Sequence, residues 1–159
     1  MRIIKNSVIQ LSIMICILMC GQPSLAHDDP PDDALIGLVN DFFKAHENGD
    51  VERLAQLSSE NIVWEAQSSL PTGGTFIGID EVIVNVFKKT AFYLPGFKIE
   101  PVELHQSENV VFALTRVRIN GIEDSRGLQI FYFENQKVIR YLSFLDTIAM
   151  VSAATRLSD

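Results

Sequence analysis

Arg116 and Arg118 stand two residues apart in a run of β-branched and apolar residues from Val110 to Ile119. Side chains of an extended chain alternate between faces, so both guanidinium groups leave the same side. If that side lines a cavity, such a pair can grip a carboxylate, a phosphate or an enolate oxygen through bidentate hydrogen bonds. If it faces water, the pair meets nearby acids such as Glu123 and Asp124 instead, because arginine is almost never buried without a partner. Two further groups could move protons. His46 continues an apolar stripe one helical turn beyond Phe42, and an imidazole titrating near neutrality suits acid–base work. A histidine in the last turn of a helix also interacts favourably with the free carbonyls there. Asp146 is a carboxylate base by type, yet an Asp just before Thr147-Ile148-Ala149 has the form of a helix N-cap. Around these groups Phe42, Trp64, Phe87, Phe131, Phe133 and Tyr141 supply enough aromatic surface to line a cavity or to fill one.

Other chemistries find no footing. The histidines, His27, His46 and His105, are scattered, and no His-x-x-x-His spacing occurs, so neither a transition-metal site nor a cofactor is expected. Gly73-Gly74 is not followed by Gly-Lys-Ser/Thr and reads as a turn rather than a phosphate loop. The formal net charge of −7 argues against nucleic acid and anionic membranes as partners.

Residues 1–26 have the layout of a secretory signal peptide: Arg2 and Lys5 at the start, an apolar run from Val8 to Cys20, and small residues at Ser24-Leu25-Ala26. The run is too short for a membrane span, so the chain is expected to be exported, periplasmic or secreted, without stable membrane insertion after cleavage. Met19 beside Cys20 disfavours lipidation and points to cleavage after Ala26. Both cysteines, Cys16 and Cys20, leave with that segment, so packing alone must hold the mature domain.

The elements that must position the chemistry follow from periodicity. His27 to Ala34 is acidic, proline-broken and reads as a flexible leader. Leu35, Leu38, Val39, Phe42 and His46 form one helical stripe; Gly49 ends that helix and Asp50 caps the next. Asn61 to Ala66 reads as a strand, Asp80 to Tyr93 as a third helix stopped by Pro95-Gly96. Phe97–Gln106, Val110–Ile119, Gly127–Phe133 and Val138–Leu145 read as consecutive strands. Asp146 then introduces a short closing helix. Helices followed by hairpin-linked strands define an α+β domain: three N-terminal helices packed on a curved, mostly antiparallel sheet, spanning 35–155.

The order Asn48-Gly49-Asp50, Trp64-Glu65, Gly78-Ile79-Asp80 and late strands ending at Asp146 resembles the cone-shaped domains of the nuclear transport factor 2-like superfamily, in particular its SnoaL-like branch. That resemblance implies one deep pocket and a homodimer. It also offers three chemistries to lay on the chain. Ketosteroid isomerases need a tyrosine, a carboxylate base and a protonated acid; the matching positions here are Phe42, Ala66 and Gln129, of which only Gln129 can hydrogen-bond a carbonyl. Limonene epoxide hydrolases need two aspartates joined by an arginine; the matching positions are Arg118, Ser143 and Arg116, and both proton-transfer groups are missing. SnoaL-like cyclases use an aspartate near the last strand, which leaves Asp146. With Tyr141 and Ser143 facing the pocket, as these comparisons imply, Asp146 points away unless a bulge re-aims it.

The expected function is therefore binding of a small, largely apolar molecule carrying a carbonyl or carboxylate, with Arg116, Arg118, Gln129, Trp64, Phe42, Tyr141 and Ser143 as contacts. An isomerase- or cyclase-like enzyme using Asp146 or His46 as base is the alternative, and a filled, structural cone is a third. The Asn135-Gln136 turn leaves the register of the last two strands open, since a one-residue slip exchanges the faces.

Overall fold

The structure is a computed structural model that describes residues 34–119 and 122–156. The expected signal segment and most of the acidic leader lie outside the described residues. Helix α1 (Ala34–Asn48) buries Leu35, Val39, Phe42, Phe43 and Ala45, a stripe broader than a single apolar line. It ends where Gly49 takes a φ of 66°, and α2 (Val51–Leu57) begins at Asp50, whose side chain accepts from the Arg53 backbone N–H at 2.9 Å. The third helical stretch starts as α3 (Ile79–Val82), widens into a π-helical segment (Ile83–Phe87) and closes as α4 (Lys88–Tyr93).

These helices cover one face of a six-stranded sheet of order β2-β1-β6-β5-β4-β3. Its strands are β1 (Ser58–Ala66), β2 (Gly74–Ile77), β3 (Lys98–Ser107), β4 (Val110–Ile119), β5 (Ile122–Glu134) and β6 (Lys137–Leu145). All pairings are antiparallel except that of β1 with β6. Strand β2 lies in a stretch to which the sequence assigns no element beyond the Gly73-Gly74 turn, because its four residues are too few to show a period. A closing helix, α5 (Thr147–Arg156), follows the last strand.

The last hairpin resolves the open register. Asn135 and Gln136 both take positive φ, 50° and 61°, which matches the right-handed twist of a two-residue hairpin. The pairing of Glu134 with Lys137 runs regularly until a shift between Tyr132 and Phe133. That bulge re-aims β6, so Val138 faces inward before it, and Tyr141 and Ser143 after it. On β4 the buried residues are Val111, Ala113, Thr115, Val117 and Ile119. The core thus lies between the inner sheet face and α1, with Phe42 and Phe131 among its largest fully buried side chains. No described helix is long and apolar enough to cross a membrane.

Candidate functional site

Four aromatic rings stack across the inside of the cone. Trp64 lies on Tyr141 with ring centroids 3.8 Å apart, as their cross-strand pairing between β1 and β6 requires. Phe42 covers both from α1, at 6.3 Å from Trp64 and 5.8 Å from Tyr141. Phe131 closes the group edge-on, 5.2 Å from Phe42 and 4.9 Å from Tyr141. Beside the stack remains a cavity of about 50 Å³. Its polar wall includes Ser143 and Thr72, and Met150 of α5 and Leu70 also contribute to its lining. The Tyr141 hydroxyl is hydrogen-bonded to the Ser143 side chain, and burial nevertheless pushes its pKa up, so the phenol stays protonated.

A second polar group sits on the inner face next to this wall. Gln129 pairs across the sheet with Ala113 on one side and Ser143 on the other, and Thr115 pairs with Gly127. A Cβ on Gly127 would stand 3.0 Å from both Thr115 Oγ1 and Gln129 Nε2, so the two polar side chains converge on the notch that this glycine leaves open. Leu145 Cδ2 covers the same notch, and Leu145 also lines the cavity. Both amide atoms of Gln129, Thr115 Oγ1 and Trp64 Nε1 are buried without a hydrogen-bond partner among the described residues. Each such group forfeits roughly 1–3 kcal/mol of hydration when nothing replaces it.

The groups read as acid–base or anion-binding candidates lie differently. Arg116 and Arg118 are exposed on the outer face of β4, where Arg118 pairs with Glu100. Their face is therefore not the one that lines the cone, and among the described residues the cavity wall carries no guanidinium. Asp146 is exposed, and its carboxylate accepts from the Ala149 backbone N–H at 3.1 Å, a helix cap that is not among the residues lining the cavity. His46 does line the cavity, held edge-on between Phe87 at 5.7 Å and Phe97 at 6.0 Å. Burial among these rings lowers its pKa to about 4, so the imidazole is neutral at physiological pH. Phe42, Trp64, Tyr141 and Ser143 line the cavity; Gln129 stands next to it. Among the described residues no three His, Cys, Asp or Glu side chains group to hold a metal ion.

Sequence reading did not single out Thr115, Phe43, Thr72, Leu94 or Met150. Thr115 shares its row with Val111, Ala113, Val117 and Ile119, but the opposite row opens just as apolar with Val110, Phe112 and Leu114, so alternation alone does not mark it as inner. Met150 and Thr72 had no signal, because loop and terminal-helix positions have no period to read.

Helices laid on a curved sheet around one cavity form the cone of nuclear transport factor 2-like proteins, and solved structures share it. A nuclear transport factor 2-like protein from Burkholderia thailandensis superposes with a TM-score of 0.69 at 20% identity, covering 75% of this chain and 95% of that one. TerC, co-crystallised with polyporic acid, gives a TM-score of 0.69 at 15% identity, covering 76% and 98%. IdmH, a putative polyketide cyclase from Streptomyces antibioticus, gives 0.62 at 14% identity, covering 77% and 99%. Residues 39–141 match the SnoaL-like domain family, and the chain belongs to it. Comparison with curated proteins finds no match. Likeness at these identities carries the fold; the chemistry must come from the site.

Proposed function

We propose that this SnoaL-like domain is a non-catalytic receptor for a small, uncharged, largely apolar molecule with one carbonyl or hydroxyl oxygen. The observation that carries the reading is the set of buried, unpartnered polar atoms on Gln129, Thr115 and Trp64 within the mainly apolar core of the cone. A folded chain that maintains four such atoms gives up stability that an incoming oxygen can restore. The sequence left carboxylate ligands open; a carboxylate here would enter a wall that holds no cation among the described residues, and an unpaired buried charge is too unfavourable to be the intended guest.

The test is a comparison of wild type with Gln129→Leu. The variant is expected to be more stable in urea by about 1–3 kcal/mol, because an unsatisfied amide gives way to hydrocarbon. It is also expected to lose any small molecule retained by the wild type in native mass spectrometry. A variant less stable than wild type would show that the amide is satisfied within the fold, and the reading would lose its foundation.

The catalytic alternative has one observation in its favour, the neutral imidazole of His46 on the cavity wall. A base whose conjugate acid has a pKa near 4 offers little driving force for taking a proton from carbon. We therefore place binding ahead of turnover.

Two further proposals concern the chain as a whole. The outer face of β4, β5 and β6 presents Phe112, Leu128 and Phe144, exposed by 37%, 36% and 46%, in two cross-strand rows completed by Ile130, Leu142 and Leu114. A contiguous apolar patch of this kind fits a second copy of the chain. Light scattering after size exclusion is expected to give a dimer, and the double variant Phe112→Glu, Phe144→Glu a monomer; a monomeric wild type ends the proposal. The basic, apolar and small-residue sequence of 1–26 supports export with cleavage after Ala26. An intact mass beginning at His27 is the expected result, and an uncleaved chain recovered from the cytoplasm would contradict it.

A further inference from the structure

The cavity beside the aromatic stack is small for any organic guest. Its volume of about 50 Å³ compares with roughly 300–1,000 Å³ for ordinary ligand sites. A second hollow lies against it, a surface cleft of about 480 Å³ between the end of α1 and the α4–β3 loop. The two share His46, Thr90, Leu94 and Phe97, so these four side chains form a wall with one compartment on each side.

The chemistry of this wall matches what lies on both sides. His46 is neutral at physiological pH and touches Phe87 and Phe97 by ring edges, which leaves the partition without a charge. The cleft beyond it is floored by Val51, Leu54, Phe87, Ala91 and Pro95, with Glu47 the one charged group among the described residues lining it. That carboxylate faces Lys98 at 3.9 Å. Phe87 ties the compartments together: it meets His46 on the cleft side and Trp64 at 5.5 Å on the inner side. It sits at the end of the π-helical segment Ile83–Phe87, a wide turn that interrupts the regular helix ladder and recurs at functional sites.

We infer that cavity and cleft are two compartments of one binding channel, and that its guest is an elongated molecule whose hydrocarbon tail crosses the His46–Phe97 wall into the cleft. This rests on the receptor reading and extends it, from an oxygen-bearing apolar molecule to one with a chain too long for the inner cavity. Rotation of His46 or Phe97 off the partition joins the compartments.

A homologous series of methyl ketones, butanone to 2-decanone, tests the channel in the mature protein. Trp64 is the single tryptophan of the chain and lines the cavity, so its quenching reports arrival of the carbonyl. Affinity is expected to rise about fourfold per added CH2 across the series, the factor expected for burying one methylene. Ala91→Phe, at an exposed helix position in the cleft, is expected to reduce the ratio of 2-decanone to butanone affinity by at least about tenfold, the loss of roughly two buried methylenes. A series that plateaus at butanone, or an Ala91→Phe ratio equal to that of wild type, overturns the channel and leaves the receptor standing. Absence of quenching by every ketone overturns both.

Discussion

Phe42→Ala is expected to lower the unfolding free energy by about 3–5 kcal/mol, the range for truncating a fully buried phenylalanine. Phe42 is 2% exposed and touches Phe43, Trp64, Phe131 and Tyr141, at ring distances of 5.2 to 6.4 Å. It is the only ring contributed by a helix to the four-ring stack; the other three come from β1, β5 and β6. Truncation therefore removes the contact between layers as well as the area of one side chain. The cavity it leaves would merge with the existing one, and surrounding rings held by the sheet cannot collapse into it. Urea unfolding followed by circular dichroism measures the difference. A loss under about 1 kcal/mol, small beside the range for such truncations, would mean that the helix layer is held elsewhere.

Acid is expected to weaken the fold through His46 before it does so through carboxylates. The pKa of this histidine is lowered to about 4 in the folded state against 6.5 for the free side chain. Between those values the unfolded chain binds a proton that the folded chain refuses, so stability rises with pH across this window and is flat above it for this group. The full difference is on the order of 2–3 kcal/mol, allowing for the part of the ring that solvent still reaches. Unfolding free energies from pH 4 to 7.5 should show the slope in wild type. His46→Leu should remove it, leaving only the carboxylates. Equal slopes in the two proteins would place the histidine outside the apolar wall.

The fold was legible because its signals are local. The stripe of Leu35, Val39 and Phe42, the stop at Gly49 and cap at Asp50, and the four late strands all follow from periodicity and turn chemistry within a few residues. The site was legible only where a residue type fixes its own side of the sheet. Trp64 and Tyr141 qualify as large aromatics that favour burial. Arg116 and Arg118 do not, since alternation states that they share a face without stating which one. The choice between Val110-Phe112-Leu114 and Val111-Ala113-Thr115 as the inner row turns on pairing with β3 and β5, and both rows are apolar. Gln129 was reached through resemblance, but its lack of partners is a property of distant strands meeting, which no window of sequence contains. The bulge at Tyr132–Phe133 belongs to the same class. It keeps Tyr141 facing inward, and nothing in the residues around Asn135-Gln136 announces it.

The parallel pairing of β1 with β6 has a consequence for the order in which the molecule can be made. β1 has only two neighbours, and one of them, β2, is four residues long. An isolated pair of strands is marginal in water, so β1 gains its long strand partner only when the residues around Tyr141 have been synthesised. The ribosome must therefore release everything up to the last strand of the sheet before β1 gains its long partner. Closing so large a loop is slow compared with forming the intervening hairpins. Until it closes, Trp64 lacks the Tyr141 ring that covers it in the folded sheet.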